Sequence, residues 1–266
     1  MQTLFDVKYF IKTQFLGYAR EIQLNIKASK QTHQSVEKKF LILSSGRSGS
    51  TLLENILASN QNIHCEGELL RGKNFNPQKV IQLTEQSCPN VVFGFKLLTY
   101  QLLDIQTAIP DKKNFLLSLV EDGYKIIYLE RSNSLLQALS VLYAMQRNVW
   151  HYKNDSEVKN FKMKLDPEKL SDTVLDFETF KNQEKQLLEG IPYLYINYEK
   201  DLNPSHQMPT TVAKLSDFLE VQLSQPKIKL KKVTPRQLSN YVSNYREISN
   251  YIKAEKRLEQ FAQPIL

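Results

Sequence analysis

Arg47 is framed by Gly46 and Gly49 and followed by Ser48, Ser50 and Thr51. It stands in the stretch SSGRSGSTLLE (residues 44–54), directly after the apolar run Phe40, Leu41, Ile42 and Leu43. A strand that ends at Gly46, passes Gly49 and enters a helix at Thr51 has the geometry of a phosphate cradle. Backbone N–H groups without helical partners and the positive end of the helix dipole converge there on one point. Arg47 adds a fixed charge, and Ser48, Ser50 and Thr51 add hydroxyl donors. The stretch departs from the Walker A pattern G-x-x-x-x-G-K-[ST], because Ser50 stands where that pattern needs lysine. Without the lysine, and without an obvious aspartate at a strand end to hold magnesium, ATP with metal-bridged phosphates is a poor ligand. A nucleotide with fewer linked phosphates, neutralised by arginine and hydroxyls, fits better. The same residues also read as an ordinary strand-to-helix turn in which Thr51 and Glu54 form a capping box.

A second strand-to-helix junction carries IIYLERSNSLLQALSVLYAMQRNVW, with Arg131 at the end of the apolar run and Ser140 nine residues on. If the helix begins near Asn133, Ser140 lies two turns in, on the side of the first turn. Arg131 can close a two-pronged fork on a phosphate. An arginine after a strand is by itself more often a surface residue than a ligand; sharing the strand-to-helix context of residues 44–51 makes it a candidate for a second anion site. Lys96 ends the run VVFGFKL, and three glutamates near the loop, Glu54, Glu66 and Glu68, could remove a proton from an acceptor.

The elements that must position these groups follow from periodicity. Short apolar runs at 40–45, 62–66, 91–97, 125–130 and 193–198 alternate with helical patterns at 51–60, at roughly 98–121 with a break at Pro110, and at 133–149. Alternation of this kind predicts an α/β layer with a mainly parallel sheet, whose ligands gather at the strands' carboxyl ends. Leu4, Val7, Ile11, Phe15, Tyr18 and Ile22 give residues 1–30 the stripe of an amphipathic helix, packed on the domain or offered to a membrane surface or a second copy. Residues 67–90 and 148–175 read as loops that would select the acceptor. A helix over 209–220, the Lys-rich PKIKLKK and a helical, tyrosine-rich tail complete the chain. The organisation expected is one domain over 1–266, with a helix and connector at 1–36, a core at 40–246 and a tail at 247–266.

At 266 residues with 41% hydrophobic content the chain can fill a real core, and a net charge of +7 favours an anionic partner. Cys65 and Cys88 lack paired spacing and the four histidines are scattered, so no metal site is indicated. No run reaches the roughly 18–20 apolar residues of a spanning helix, and no secretion signal is evident. The expected location is cytoplasmic.

SSGRSGSTLL resembles the 5′-phosphosulfate loop of sulfotransferases that use 3′-phosphoadenosine 5′-phosphosulfate (PAPS). RSNSLLQALS followed by AMQRNVW is similar to the bacterial trehalose sulfotransferase family, as are GFKLL and INYEKDL. The resemblance implies a P-loop-type three-layer α/β fold with a mainly parallel central sheet. It also implies PAPS as co-substrate without metal, and transfer to a hydroxyl of a carbohydrate, glycolipid or other small acceptor. Gly46, Arg47, Ser48, Gly49, Ser50, Thr51, Arg131, Ser140 and Lys232 (or Lys231) would hold the nucleotide. Arg47 and Lys96 would stabilise the leaving group, and Glu68 would act as base, with Glu54 and Glu66 as alternatives. A homodimer is permitted and nucleic acid is not the expected partner. Two rivals stand beside this reading: a P-loop kinase or other NTPase, and a basic module binding membrane or nucleic acid.

Overall fold

Alternation within the central strand decides which helices cover which face of the sheet. The computed structural model describes residues 7–28, 36–148, 161–203, 205–224 and 237–263. In β1 (Lys38–Ser44), Phe40 and Ile42 point to one side, Leu41 and Leu43 to the other, and all four are fully buried. β3 (Val92–Leu98) and β4 (Tyr124–Glu130) flank β1 and repeat the division. β2 (Ile63–Glu68) and β5 (Tyr193–Asn197) complete, among the described residues, one sheet of order β2-β3-β1-β4-β5 in which every pairing is parallel. Each apolar side chain of this size contributes roughly 1.5–3 kcal/mol by leaving water, so a strand buried on both faces cannot slip by one residue.

On the Phe40 face lie α2 (Ser50–Leu57) and α7 (Met208–Leu219), through Leu53, Ile56, Val212 and Leu215. On the Leu41 face lie α3 (Pro77–Gln86) and α4 (Lys112–Glu121). α5 (Ser134–Arg147) and α6 (Pro167–Leu188) build a second core with the short α8 (Leu238–Tyr241), α9 (Tyr245–Ala254) and α10 (Lys256–Glu259). The layers are those of a P-loop-type α/β fold. The chain runs from β1 to the β2 edge, returns to β3 and then crosses β1 to reach β4. Direction therefore reverses at β1, and the loops after β1 and β4 part at its carboxyl end, where ligands of such sheets bind.

Two helices lie where the sequence reads as loop. α3 opens with Asn76 accepting from the Lys79 N–H at 3.0 Å and Pro77 in the first turn; α6 opens with Asp166 accepting from Glu168 N–H and Pro167 in the first turn. Those start signals are plain, but the apolar stripes behind them are thin: in α6 only Leu170, Val174, Phe177 and Leu188 are buried apolar residues. The 98–121 pattern also divides, into a π turn at Gln101–Ile105 and α4 beyond Pro110, with Asp111 as its cap. Glu66 and Glu68 lie within β2 rather than after it.

The N-terminal helix α1 (Val7–Ala28) docks beside the β2 edge. Glu21 is 5% exposed and accepts from the N–H groups of Phe75 (2.7 Å) and Asn76 (3.0 Å). Asn74 donates to the Gly17 carbonyl, Tyr18 stacks on Phe75, and Arg20 pairs with Glu66. Among the described residues no helix is long and apolar enough to cross a membrane.

Glu184 of α6 is fully buried below the carboxyl ends of β3 and β4, accepting from Thr99 and, at 2.9 Å, from Tyr128. Burial pushes its carboxyl up to about 7, the two donors pull it back, and nearby Glu130 pushes it further up. The folded state therefore keeps a proton that the unfolded chain has already released, and stability falls as pH rises from the ordinary carboxylate range through about 7. Glu184→Gln should flatten that fall. Thermal melts between pH 5 and 8 should show wild type losing on the order of 2–3 kcal/mol relative to the variant, whereas parallel pH profiles would contradict the assignment.

Candidate anion-binding site

The segment between β1 and α2 is held in an unusual backbone conformation. Arg47 has φ 61° and Gly49 φ 96°, both in the left-handed region, and a non-glycine residue is held there only when its surroundings require it. Such curls turn successive N–H groups towards a common point. The glycine at 49 has a second reason: a Cβ there would lie 2.4 Å from Cδ2 of the Tyr198 ring. Gly49 is the N-cap of α2 without any side-chain cap, so the capping box of Thr51 and Glu54 does not form. The helix begins two residues earlier than that motif requires; in its first turn Leu52 N–H already donates to the Gly49 carbonyl at 2.9 Å, which leaves those of Ser50 and Thr51 ahead of the intrahelical hydrogen bonds. Gln137 of α5 fastens the loop from below, donating to Ser45 Oγ (2.9 Å) and to the Gly46 carbonyl (2.6 Å).

Arg47 and Arg131 converge here. Arg47 Nε donates to Ser140 Oγ at 3.1 Å, and Arg131 Nη1 donates to the Arg47 carbonyl at 3.1 Å. The Arg131 guanidinium lies over the Tyr198 ring, 5.0 Å from its centroid. Burial first, and then the charge of Arg131, hold Arg47 down to about 10, with Tyr198 acting in the opposite direction. Burial also lowers Arg131, against the pull of Tyr198 and Glu199. Glu199 Oε1 stands 3.5 Å from Arg131 Nε without hydrogen-bond geometry; its oxygens accept instead from Ser132 and Asn133 N–H. The contact is an ion pair that raises the pKa of Arg131, and Ser44 and Ser48 bury hydroxyls without hydrogen-bond partners among the described residues. Unspent donors around two buried guanidinium groups are a set that fits an anion carrying many acceptor oxygens.

Lys96 reaches the other side of the loop. It is 5% exposed, pairs with Glu54 Oε2 at 2.6 Å and approaches Thr51 Oγ1 at 3.4 Å. Glu68 arrives beside it because of a bulge. Cys65 pairs with Gly94, but Glu68 pairs with Lys96, so β2 contains one extra residue, with Gly67 at φ 73° inside it. In an unbroken register Glu68 would face the opposite side of the sheet; the bulge turns it to the Lys96 side. Gln101 anchors it there, donating from Nε2 to Glu68 Oε2 at 2.8 Å while its Oε1 accepts from Leu98 N–H at 3.1 Å. Glu66 stays before the bulge on the other face, held by Arg20 and by His64 at 2.8 Å.

The structure thus brings together Gly46 to Thr51, Lys96, Arg131, Ser140, Glu54 and Glu68, and separates Glu66 from them. Lys231, Lys232 and His151 lie outside the described residues. Sequence reasoning missed Tyr198 and Gln101 as site residues. Tyr198 stands within the INYEKDL segment and Gln137 within RSNSLLQALS, whereas nothing in the sequence marks Gln101.

The described residues define an α/β protein with a parallel sheet, in which two arginines meet beside a glycine-containing strand-to-helix loop. No family model matches the chain, and no curated protein matches it. Among solved structures, mouse sulfotransferase SULT7A1 complexed with PAP is similar over 85% of this chain and 86% of that one, at TM-score 0.42 and 16% identity. A likeness that remote assigns no relationship.

Gly49→Ala should destabilise the protein by about 2 kcal/mol or more, from the positive φ and the overlap with Tyr198. Thermal melts of Gly49→Ala in wild-type and Tyr198→Ala backgrounds check this. The cost should shrink when the ring is gone, and an equal cost in both would show that the ring is not the obstacle.

Proposed function

We propose that the chain is a sulfotransferase that moves a sulfuryl group from PAPS to a hydroxyl of a carbohydrate, glycolipid or other small acceptor. The observation that carries this is the meeting of Arg47 and Arg131, each only partly exposed: Arg131 donates to the Arg47 carbonyl, Arg47 donates to Ser140, and buried donors around them have no hydrogen-bond partner among the described residues. Two arginines on different elements, one in the loop and one after β4, can each engage a phosphate of a nucleotide phosphorylated at two positions.

PAPS supplies an activated sulfuryl group on a phosphate leaving group. In this reading Gly46, Ser48, Gly49, Ser50 and Thr51 hold the 5′-phosphosulfate through N–H and hydroxyl donors. Arg131 and Ser140 hold the 3′-phosphate, and Lys232 closes over the nucleotide. Arg47 and Lys96 stabilise negative charge as it builds on the departing oxygen, as in phosphoryl transfer through a loose transition state. Glu68 removes the acceptor's proton: Gln101 engages one carboxylate oxygen and fixes the orientation, and the other oxygen accepts the proton. Glu54 is a second candidate for the base, because it lies nearest the loop. Its 2.6 Å pair with Lys96 favours a role as the counter-ion that keeps the lysine aimed at the site.

Thermal shift with 3′-phosphoadenosine 5′-phosphate (PAP) against AMP, ADP and ATP with magnesium tests the nucleotide. PAP should stabilise the protein most, and Arg131→Ala should abolish its advantage over AMP. Preference for ATP with magnesium would favour a kinase or NTPase, and salt-sensitive binding to DNA or anionic vesicles with no response to PAP would favour a basic binding module. Glu68→Gln should lower kcat about 10²- to 10³-fold with PAP affinity unchanged; retained turnover would exclude it as base and turn attention to Glu54.

A further inference from the structure

Tyr241 is a buried polar group that the reading above leaves without a task. It is the last residue of α8, fully buried, and its hydroxyl has no hydrogen-bond partner among the described residues. The backbone around it is fixed. Met163 N–H donates to the Tyr241 carbonyl at 2.8 Å, Ser243 N–H donates to the Met163 carbonyl at 2.8 Å, and the Asn244 amide both donates to and accepts from the backbone of Leu165. A buried hydroxyl held this firmly without a partner costs about 1–3 kcal/mol, and it could pair with water only by exposing the site.

Its position connects it with the second anion site. The Tyr241 ring meets Tyr143 edge to face, 5.4 Å between centroids. Tyr143 lies one turn beyond Ser140 on the same side of α5, and Ser140 Oγ accepts from Arg47. The charge of Arg131 also acts on the Tyr241 phenol, opposing the burial that pushes its pKa up. The phenol therefore stays protonated and can donate. Tyr241 Oη–H and Arg131 Nε–H are both buried without a hydrogen-bond partner among the described residues, Arg131 keeping its ion pair with Glu199. Glu199 is the nearby carboxylate, and its oxygens are already engaged by Ser132 and Asn133.

We propose that the Tyr241 hydroxyl is a ligand of the second phosphate, so that the C-terminal segment contributes to the same anion subsite as Arg131 and Ser140. The proposal rests on the two-phosphate nucleotide reading and extends it to a residue far along the chain.

The test is Tyr241→Phe, which removes one oxygen and keeps the ring against Tyr143. Without ligand the variant should melt at or above the wild-type temperature, because an unsatisfied polar atom has gone. A lower melting temperature, or failure to fold, would overturn the claim that the hydroxyl is unpartnered. By calorimetry with PAP and AMP, the ratio of PAP to AMP affinity should fall about tenfold in the variant while AMP affinity stays unchanged, the size expected for a hydrogen bond to a charged group. If wild type prefers PAP and Tyr241→Phe keeps the same ratio, Tyr241 is not a ligand and the nucleotide reading survives. If wild type itself shows no preference for PAP over AMP, the two-phosphate reading fails, and this proposal with it.

Discussion

Two guanidinium groups with like charge are held close together and largely out of water. Burial draws both down from their ordinary values, and the charge of Arg131 adds to the fall of Arg47 to about 10. Glu199 offers only a poorly aligned ion pair, and Tyr198 offers the face of a ring. A pair of buried like charges is costly unless a counter-charge with good geometry joins it. The surrounding architecture keeps the pair in place against that cost: a left-handed Arg47, a glycine under Tyr198, a glutamine that ties the loop to α5, and α5 itself starting at the end of β4. These ties hold the two arginines in place in the fold as it stands.

The sheet order makes this arrangement possible. β1 lies between β3 and β4, so the loop after β1, the lysine on β3 and the arginine after β4 emerge side by side although they are far apart in the chain. The β2 edge then adds a carboxylate through one inserted residue. The bulge has a double effect, turning Glu68 towards Lys96 and leaving Glu66 facing Arg20 on the opposite side. Two glutamates two residues apart, which alternation would keep on one face, are thus sent to different tasks. α1 reinforces the split, because its Arg20 satisfies Glu66 and its Glu21 caps the chain that leaves β2.

Helix boundaries are informative where they departed from the reading of the sequence. Thr51 and Glu54 have the spacing of a capping box, and local sequence cannot distinguish that box from a helix that starts two residues earlier, after a left-handed glycine. Tertiary contacts chose the second, since Lys96 offers Glu54 a partner that a backbone N–H cannot match in charge. The helix over Pro167–Leu188 was hidden for a different reason. Its exposed side is densely charged, and its buried side includes Lys181 and Glu184, polar residues that find partners only when the fold is assembled.

By itself the sequence determined the five strands, their alternation with helices and the glycine-containing turn at residues 46–51, because burial periodicity and glycine placement are local properties. It also marked Arg131 and Ser140 as a second cluster, since the strand-to-helix junction repeats. Only the tertiary structure decided that Glu68 joins Glu54 on the Lys96 side while Glu66 does not, because the side on which Glu68 emerges depends on a register shift against β3. Only the fold could bring Tyr198 against Gly49 and Arg131, Gln101 to Glu68 and Tyr241 against Tyr143. Their partners lie on other strands and helices, and no pattern within their own segments records those contacts.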